Sequence, residues 1–151
     1  MRRREKEIGG REVLEEILQL ATVCHLAMSE NDQPYVVPLN FGYRDNALYF
    51  HCAREGKKVD ILRKNNCVGF EVDVDHELVK GASACEWGMK GRSVVGTGKA
   101  YLVDDPAGKR QGLDVIMKHY GAPEPFSYKE KGFEKALIIK VEIESMSGKK
   151  T

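Results

Sequence analysis

Two lysines stand where a strand pattern changes into a helix pattern, in the stretch LYFHCAREGKKVDILRKN. Gly56 allows a tight backbone turn there, and Lys57 and Lys58 follow it in the first turn of the expected helix. Free N–H groups at a helix N-terminus favour an anion, whereas the dipole there disfavours lysine. A bound phosphate would resolve this conflict, and a solvated lysine pair before an ordinary helix is an equally open interpretation. The P-loop pattern G-x-x-x-x-G-K-[ST] does not occur in the sequence.

A second group that could contact a phosphate lies in the stretch WGMKGRSVVG. Arg92 offers a guanidinium fork and Ser93 a hydroxyl, both at the start of an expected strand. Taken alone, such a pair is more often an exposed arginine followed by a strand-starting serine. Trp87 could cover a planar ligand or fill a core, and packing is the commoner role of a single tryptophan.

Histidine and cysteine occur twice as neighbours, in Cys24-His25 and in His51-Cys52. Neighbours on a strand point to opposite faces, so neither pair can easily bind one metal ion, and we expect no metal site. No serine or cysteine has an assignable base partner, which leaves nucleophilic catalysis without support. The sequence holds four cysteines and no C-x-x-C pattern. Free thiols in a reducing cytoplasm are therefore expected.

Length and charge narrow the function classes. The chain has 151 residues, enough for one domain over 1–151 with a real core. Its net charge of +1 creates no global field that would attract nucleic acid or an anionic membrane. Any anion site must therefore be local. The apolar runs are shorter than a membrane span and no signal-type segment is seen, so the sequence predicts a cytoplasmic protein.

The periodicity predicts a mainly β, α+β domain with about six strands and two or three short helices. Connections are too short for parallel crossovers, so an antiparallel sheet that closes into a small barrel is expected. The strand patterns are TVCHLAMS, YVVPLNFGY, LYFHCA, CVGFEVDVD, RSVVGTGKAYLV and KALIIKVEIESM. The helix patterns are GREVLEEILQLA, REGKKVDILRKNN and DDPAGKRQGLDVIMKHYG, and APEPFSYKEKGFE indicates a loop.

Single residues refine these elements. Pro38 cannot donate to a ladder, so it indicates an edge, a bulge or an opening that faces a ligand. Gly96 and Gly98 share one strand face and indicate a barrel bend or a close approach. Asp105 is the expected N-cap of the third helix, whose apolar positions recur at helical spacing. Those positions are Leu113, Ile116, Met117 and Tyr120.

Several stretches together, in order, resemble the pyridoxamine 5′-phosphate oxidase-like flavoproteins, and most strongly their nitroimidazole-resistance branch. They are VCHLAM, PYVVPLNFGY, LYFHCAREGKKVDILRKN, CVGFEVD and WGMKGRSVVGTGKAYLVDD. The likeness runs from about residue 1 to the helix near residue 120, and more loosely to the last strand. It implies a six-stranded antiparallel split β-barrel that forms a homodimer and binds FMN at the subunit interface.

The resemblance implies a role for each candidate residue at the phosphate end of the flavin. The turn formed by Gly56, Lys57 and Lys58 would hold the FMN phosphate, assisted by Arg92 and Ser93.

It also implies the ring contacts. Val37, Pro38, Leu39 and Asn40 would run beside the isoalloxazine, and Trp87 would reach the partner subunit's flavin. His51 matches the family histidine near the flavin and is the candidate for proton delivery, since imidazole exchanges protons near neutral pH. Two positions depart from the family pattern, because Cys52 stands where serine is common and Gly91 where tyrosine is common.

The function implied is a flavin-dependent reduction of a small planar substrate, with a nitroaromatic ring as one candidate. Oxidation of pyridoxamine phosphate is less supported because a second, substrate-phosphate cluster is missing. A non-catalytic protein that binds FMN or haem as a sensor or store is the alternative. The sequence has no G-x-G-x-x-G fingerprint, so it names neither an electron donor nor a substrate.

Overall fold

The computed structural model describes residues 4–151, in which eight strands form one antiparallel sheet. The strands are β1 (Glu7–Ile8), β2 (Cys24–Glu30), β3 (Gln33–Leu39), β4 (Gly42–Arg44), β5 (Ala47–Ala53), β6 (Cys67–Val79), β7 (Gly88–Val103) and β8 (Ala136–Lys150). The helices are α1 (Arg11–Leu20), α2 (Lys57–Lys64), α3 (Pro106–His119) and α4 (Glu130–Lys135), with 3₁₀ turns at Arg4–Lys6 and Ala84–Glu86. Among these residues no helix is long and apolar enough to cross a membrane.

The mainly β antiparallel fold is as the sequence predicts. The sheet order is β3-β2-β6-β7-β8-β5-β4, and β1 pairs with β8. The six long strands are the six expected, while β1 and β4 are short additions. The sheet is not closed by a ladder, because β3 and β4 are its two edges. The closure expected from the strand pattern is therefore wrong as regards the ladder, whereas the open sheet is consistent with the split β-barrel that the resemblance implies.

The pattern YVVPLNFGY is not one strand, as the sequence indicates, but two. The chain leaves edge strand β3 at Leu39 and enters the opposite edge strand β4 at Gly42. Three peptide steps span at most roughly 11 Å between Cα atoms, so both edges must approach each other at this corner. Asn40 and Phe41 form the link, and the Phe41 side chain is fully buried. Pro38 lies on the edge strand β3, in agreement with its missing N–H.

Two apolar clusters hold the helices to the sheet. The stripe of α1 buries Leu14, Ile17 and Leu18 in the main core, as its spacing predicts. Helix α3 covers the outer face of β5 and β8 through Val115 and Ile116. The stripe predicted for α3 is rotated, since Met117 and Tyr120 are 37% and 39% exposed. The rotation brings Gly112 onto Ile138, where any larger side chain would collide.

Helix α4 lies in a stretch that the sequence indicates to be a loop. Lys109 of α3 is buried, and its Nζ donates to the Phe133 carbonyl at 3.0 Å. The same Nζ lies 3.2 Å from Asp104 Oδ1. A buried lysine needs such partners, and one of them, the Phe133 carbonyl, comes from a segment that has no apolar period of its own. The expected N-cap of α3 is confirmed, because Asp105 Oδ2 accepts from the Gly108 N–H at 2.8 Å.

The glycines of β7 permit close approaches, as their shared face predicts. A Cβ at Gly96 would lie 2.5 Å from the Ser145 carbonyl oxygen and would collide with the Phe70 ring. A Cβ at Gly98 would collide with the Glu142 carbonyl oxygen. The β7–β8 register shifts between Thr97 and Gly98, so this is also the site of a bulge.

We expect Gly98→Ala to lower the free energy of unfolding by about 1–3 kcal/mol, the usual cost of overpacking. The neighbouring backbone oxygen cannot move without breaking the ladder. Urea denaturation followed by circular dichroism measures the loss. Gly132→Ala is the matched control, because nothing lies within 4 Å of a Cβ there. Equal stability of the two variants would contradict the close approach.

Candidate functional site

The turn before α2 has the backbone that an anion site needs. Gly56 has φ 132° and ψ 170°, a conformation that strongly favours glycine. It is the N-cap of α2 and has no side chain that could accept from the first N–H groups of the helix, and among residues 4–151 no other side chain caps them. A Cβ at Gly56 would meet nothing within 4 Å, which leaves room above the turn.

The two lysines of this turn lie near different strands. Lys57 Nζ lies 4.3 Å from the centre of the Tyr35 ring on β3, so its side chain extends toward the edge strand. Lys58 lies near the half-buried Cys52 on β5. Burial raises the pKa of the Cys52 thiol, and the charge of Lys58 opposes that effect. The turn therefore connects β5 and β3, the two strands that carry the remaining ring-side candidates.

The residues predicted to lie beside a flavin ring form the last part of β3 and the corner after it. Val37 and Leu39 are partly buried against the core, whereas Pro38 and Asn40 are exposed. Gly42 pairs with Tyr49 in an antiparallel register. Asn40 precedes Gly42 by two residues and His51 follows Tyr49 by two residues. In an antiparallel pair both therefore lie beyond the same end of the Gly42–Tyr49 pair.

Sequence reasoning missed Tyr120, which follows α3 and contacts the same corner. Its hydroxyl donates to the Thr22 carbonyl at 2.6 Å. It accepts from the Phe41 N–H at 3.1 Å and from Asn40 Nδ2 at 3.2 Å. The helical spacing marks Tyr120 as an apolar position, and no local pattern indicates that its hydroxyl meets a link 80 residues away.

His119 supports the corner beside Tyr120. Its Nε2 lies 2.7 Å from the Ala21 carbonyl oxygen, which can only accept, so Nε2 carries the proton. Its ring packs on Phe41, with the centroids 4.5 Å apart. Burial lowers the pKa of His119, which favours the neutral form of the ring. Nδ1 is buried without a hydrogen-bond partner among residues 4–151. His119 is therefore a packing residue rather than a proton donor.

Arg92 and Ser93 are not brought to the phosphate turn within one chain. Val103 ends β7 eleven residues after Arg92, or roughly 36 Å of strand. The next residue, Asp104, is bound by Arg54, two residues before Gly56. Arg92 instead contacts Asp75 at 2.6 Å and Glu16 at 3.0 Å.

Trp87 also lies at the far end of β7, just before the strand begins. It is 51% exposed, and its indole N–H donates to the Gly81 carbonyl at 2.9 Å. Gly91, which the resemblance places where a tyrosine is common, does not leave open space. A Cβ there would lie 3.2 Å from His76 Cδ2, so the histidine fills the adjoining volume.

A cleft of about 1030 Å³ lies between α1, β4 and α3, but none of the predicted site residues lines it. Glu15 on its wall is engaged by Tyr43 at 2.8 Å and by Arg11 at 2.9 Å, which lowers the pKa of the carboxyl group. Asp114, also on the wall, accepts from Tyr128 at 2.7 Å. Both carboxylates already have hydrogen-bond partners within the chain. We therefore take the Gly56 turn and the Asn40–Phe41 corner as the candidate site.

Comparison with known proteins identifies the family to which the chain belongs. Residues 10–150 match the family model described as pyridoxamine 5′-phosphate oxidase. The chain therefore belongs to the pyridoxamine 5′-phosphate oxidase-like family, which confirms the resemblance of its sequence motifs.

Particular relatives refine the comparison. A candidate 5-nitroimidazole antibiotic resistance protein from Bacteroides thetaiotaomicron is 33% identical, with TM-score 0.83 over 95% of this chain and 85% of that one. An FAD-binding protein from Mesorhizobium loti is 27% identical, with TM-score 0.68 over 95% and 96%. The uncharacterized protein RA0666 of Rhizobium meliloti is 30% identical over 92 residues, 61% of this chain. The matched region spans about half of that relative, 54% of its length.

Proposed function

We propose that the protein is an FMN-binding flavoprotein and a flavin-dependent oxidoreductase for small planar acceptors. The observation that carries the proposal is the Gly56 turn, where uncapped helix N–H groups and two lysines converge beside strands β3 and β5. These groups fit the dianionic phosphate of FMN, since N–H donors and ammonium groups both stabilise it. The likeness to an FAD-binding protein supports a flavin, and family membership supports this site.

The ring would lie along the end of β3. Val37 and Leu39 offer apolar contact, Pro38 leaves a gap in the ladder, and Asn40 offers a polar side chain. When bound, FMN supplies hydride chemistry, and the protein orients it and places donors around the ring. His51 is exposed on β5, across the Asn40–Phe41 corner from the end of β3, where it can donate a proton to an acceptor stacked on the ring. The likeness to a candidate nitroimidazole resistance protein makes a nitroaromatic the first acceptor to test.

A second copy of the chain completes the proposed site. Arg92 and Ser93 stand at the opposite end of β7 from the turn, so they would reach a phosphate only from the partner subunit. Apolar side chains exposed on the β6–β7 hairpin give this partner a surface. They are Leu78, Trp87 and Met89, which are 51%, 51% and 52% exposed.

The protein is expected to purify yellow, or to become yellow with added FMN. In a titration, FMN should bind more tightly than riboflavin because only FMN carries the phosphate. We expect Lys57→Ala or Lys58→Ala to weaken the binding of FMN by about 1–3 kcal/mol, the range for a hydrogen bond to a charged group. The binding of riboflavin should hardly change. FAD is titrated in parallel to establish which flavin is preferred.

Lys131→Ala, an exposed lysine of α4, is the matched control for this titration. Equal affinity of the parent protein for FMN and riboflavin would contradict the phosphate site. A Soret band in place of a flavin spectrum would favour haem binding instead.

Light scattering should give about twice the chain mass of 17.0 kDa. Leu78→Asp places a charge on the proposed interface, so we expect it to weaken the dimer and FMN binding together. Leu20→Asp is the control, because Leu20 is equally exposed, at 53%, at the end of α1. A monomer that retains FMN at full affinity would contradict the shared site.

His51→Ala tests whether the protein is catalytic. We expect full FMN content with strongly reduced anaerobic turnover of a nitroaromatic, because the substitution removes the proton donor but no phosphate contact. Flavin absorbance and product formation are measured on the same sample. Unchanged turnover would remove His51 from the mechanism. If the parent reduces no acceptor with NADH, NADPH or dithionite, the non-catalytic flavin-binding alternative becomes the better account.

A further inference from the structure

The hydrogen bonds of Tyr120 fix the orientation of the Asn40 amide. A tyrosine hydroxyl has one hydrogen to donate and two lone pairs to accept with. The Thr22 carbonyl can only accept, so at 2.6 Å it takes the one hydrogen. The Phe41 N–H can only donate, and at 3.1 Å it occupies one lone pair. The remaining partner, 3.2 Å away, must therefore donate as well.

In Asn40 only the amide nitrogen can donate, so Nδ2 faces Tyr120 and the carbonyl Oδ1 faces away. The choice between the two orientations of an asparagine amide is ordinarily made from its neighbours, and here the neighbours leave one solution. Oδ1 accepts no hydrogen bond from the residues that the structure describes, and Asn40 is exposed. The corner therefore presents a preset hydrogen-bond acceptor.

We propose that Tyr120 is a positioning residue that aims the Asn40 carbonyl oxygen at the N3–H group of a bound flavin ring. This inference rests on the proposed flavin function, which places the ring along the end of β3. Oxidised isoalloxazine has one ring N–H, at N3 between its two carbonyl groups. An acceptor fixed in advance binds that group without losing side-chain rotamer freedom. Tyr120 acts through Asn40 and need not touch the ring.

The test compares the affinity of FMN with that of FMN methylated at N3, in which the donor is missing. We expect the parent protein to bind FMN at least about tenfold more tightly than N3-methyl FMN, because the methylated flavin loses one hydrogen bond and its methyl group needs extra space. Tyr120→Phe removes only the hydroxyl and should reduce this ratio about three- to tenfold. Asn40→Ala should bring the ratio close to one, and adding Tyr120→Phe to it should change the ratio no further.

Tyr128→Phe is the matched control, because it removes a hydroxyl that bonds Asp114 of α3 away from the corner. Its ratio should equal that of the parent. If Tyr120→Phe weakens both flavins equally, Tyr120 is merely structural and the proposal is overturned. A parent that binds both flavins equally overturns the N3 contact while FMN binding stands. A parent that binds neither flavin overturns this inference together with the proposed function.

A second measurement does not depend on any variant folding. FMN labelled with ¹⁵N is bound to the parent protein, and the N3 proton is observed by NMR in water. A hydrogen-bonded N3–H should exchange slowly and give a sharp signal. Rapid exchange of that proton in the fully bound flavin would overturn the proposal.

Discussion

The fold depends on a two-residue link, Asn40–Phe41, between the two edges of its sheet. Strands β3 and β4 are the ends of the strand order, yet they are consecutive in the chain. The link is too short to let them separate, so the sheet must curl until its edges meet at this corner. The curl encloses the main core, in which the Phe41 ring is fully buried. It also brings the end of β3 toward the end of β5 that carries His51.

A corner without a ladder leaves backbone polar groups that must find other partners. The end of α3 supplies them, since Tyr120 bonds the Phe41 N–H and the Thr22 carbonyl, and His119 bonds the Ala21 carbonyl. One helix thus covers the outer face of β5 with apolar side chains and satisfies the corner with polar ones. These hydrogen bonds join the α1–β2 connection, the β3–β4 link and α3. Side chains held by such contacts suit a proposed binding site that has to orient a planar ring.

The long β6–β7 hairpin separates the two groups of phosphate candidates within one chain. It carries Arg92 and Trp87 at the end opposite the Gly56 turn, and it exposes Leu78 and Met89 to solvent. Within one chain the arginine is held by Asp75 and Glu16. A second copy would account for both the separated phosphate candidates and the exposed apolar side chains.

The sequence by itself determined the six long strands, the buried stripe of α1, the Asp105 cap and the glycine turn before α2, because each follows from local periodicity or backbone preference. Its motifs also determined the family. Tertiary structure decided what depends on distant contacts. It divided YVVPLNFGY between two edges, formed α4 around the buried Lys109, and rotated α3 so that Tyr120 reached the corner. It also separated Arg92 from Lys57. No local pattern encodes these features, since each arises where segments far apart in the chain satisfy one another's polar groups or share one packed surface.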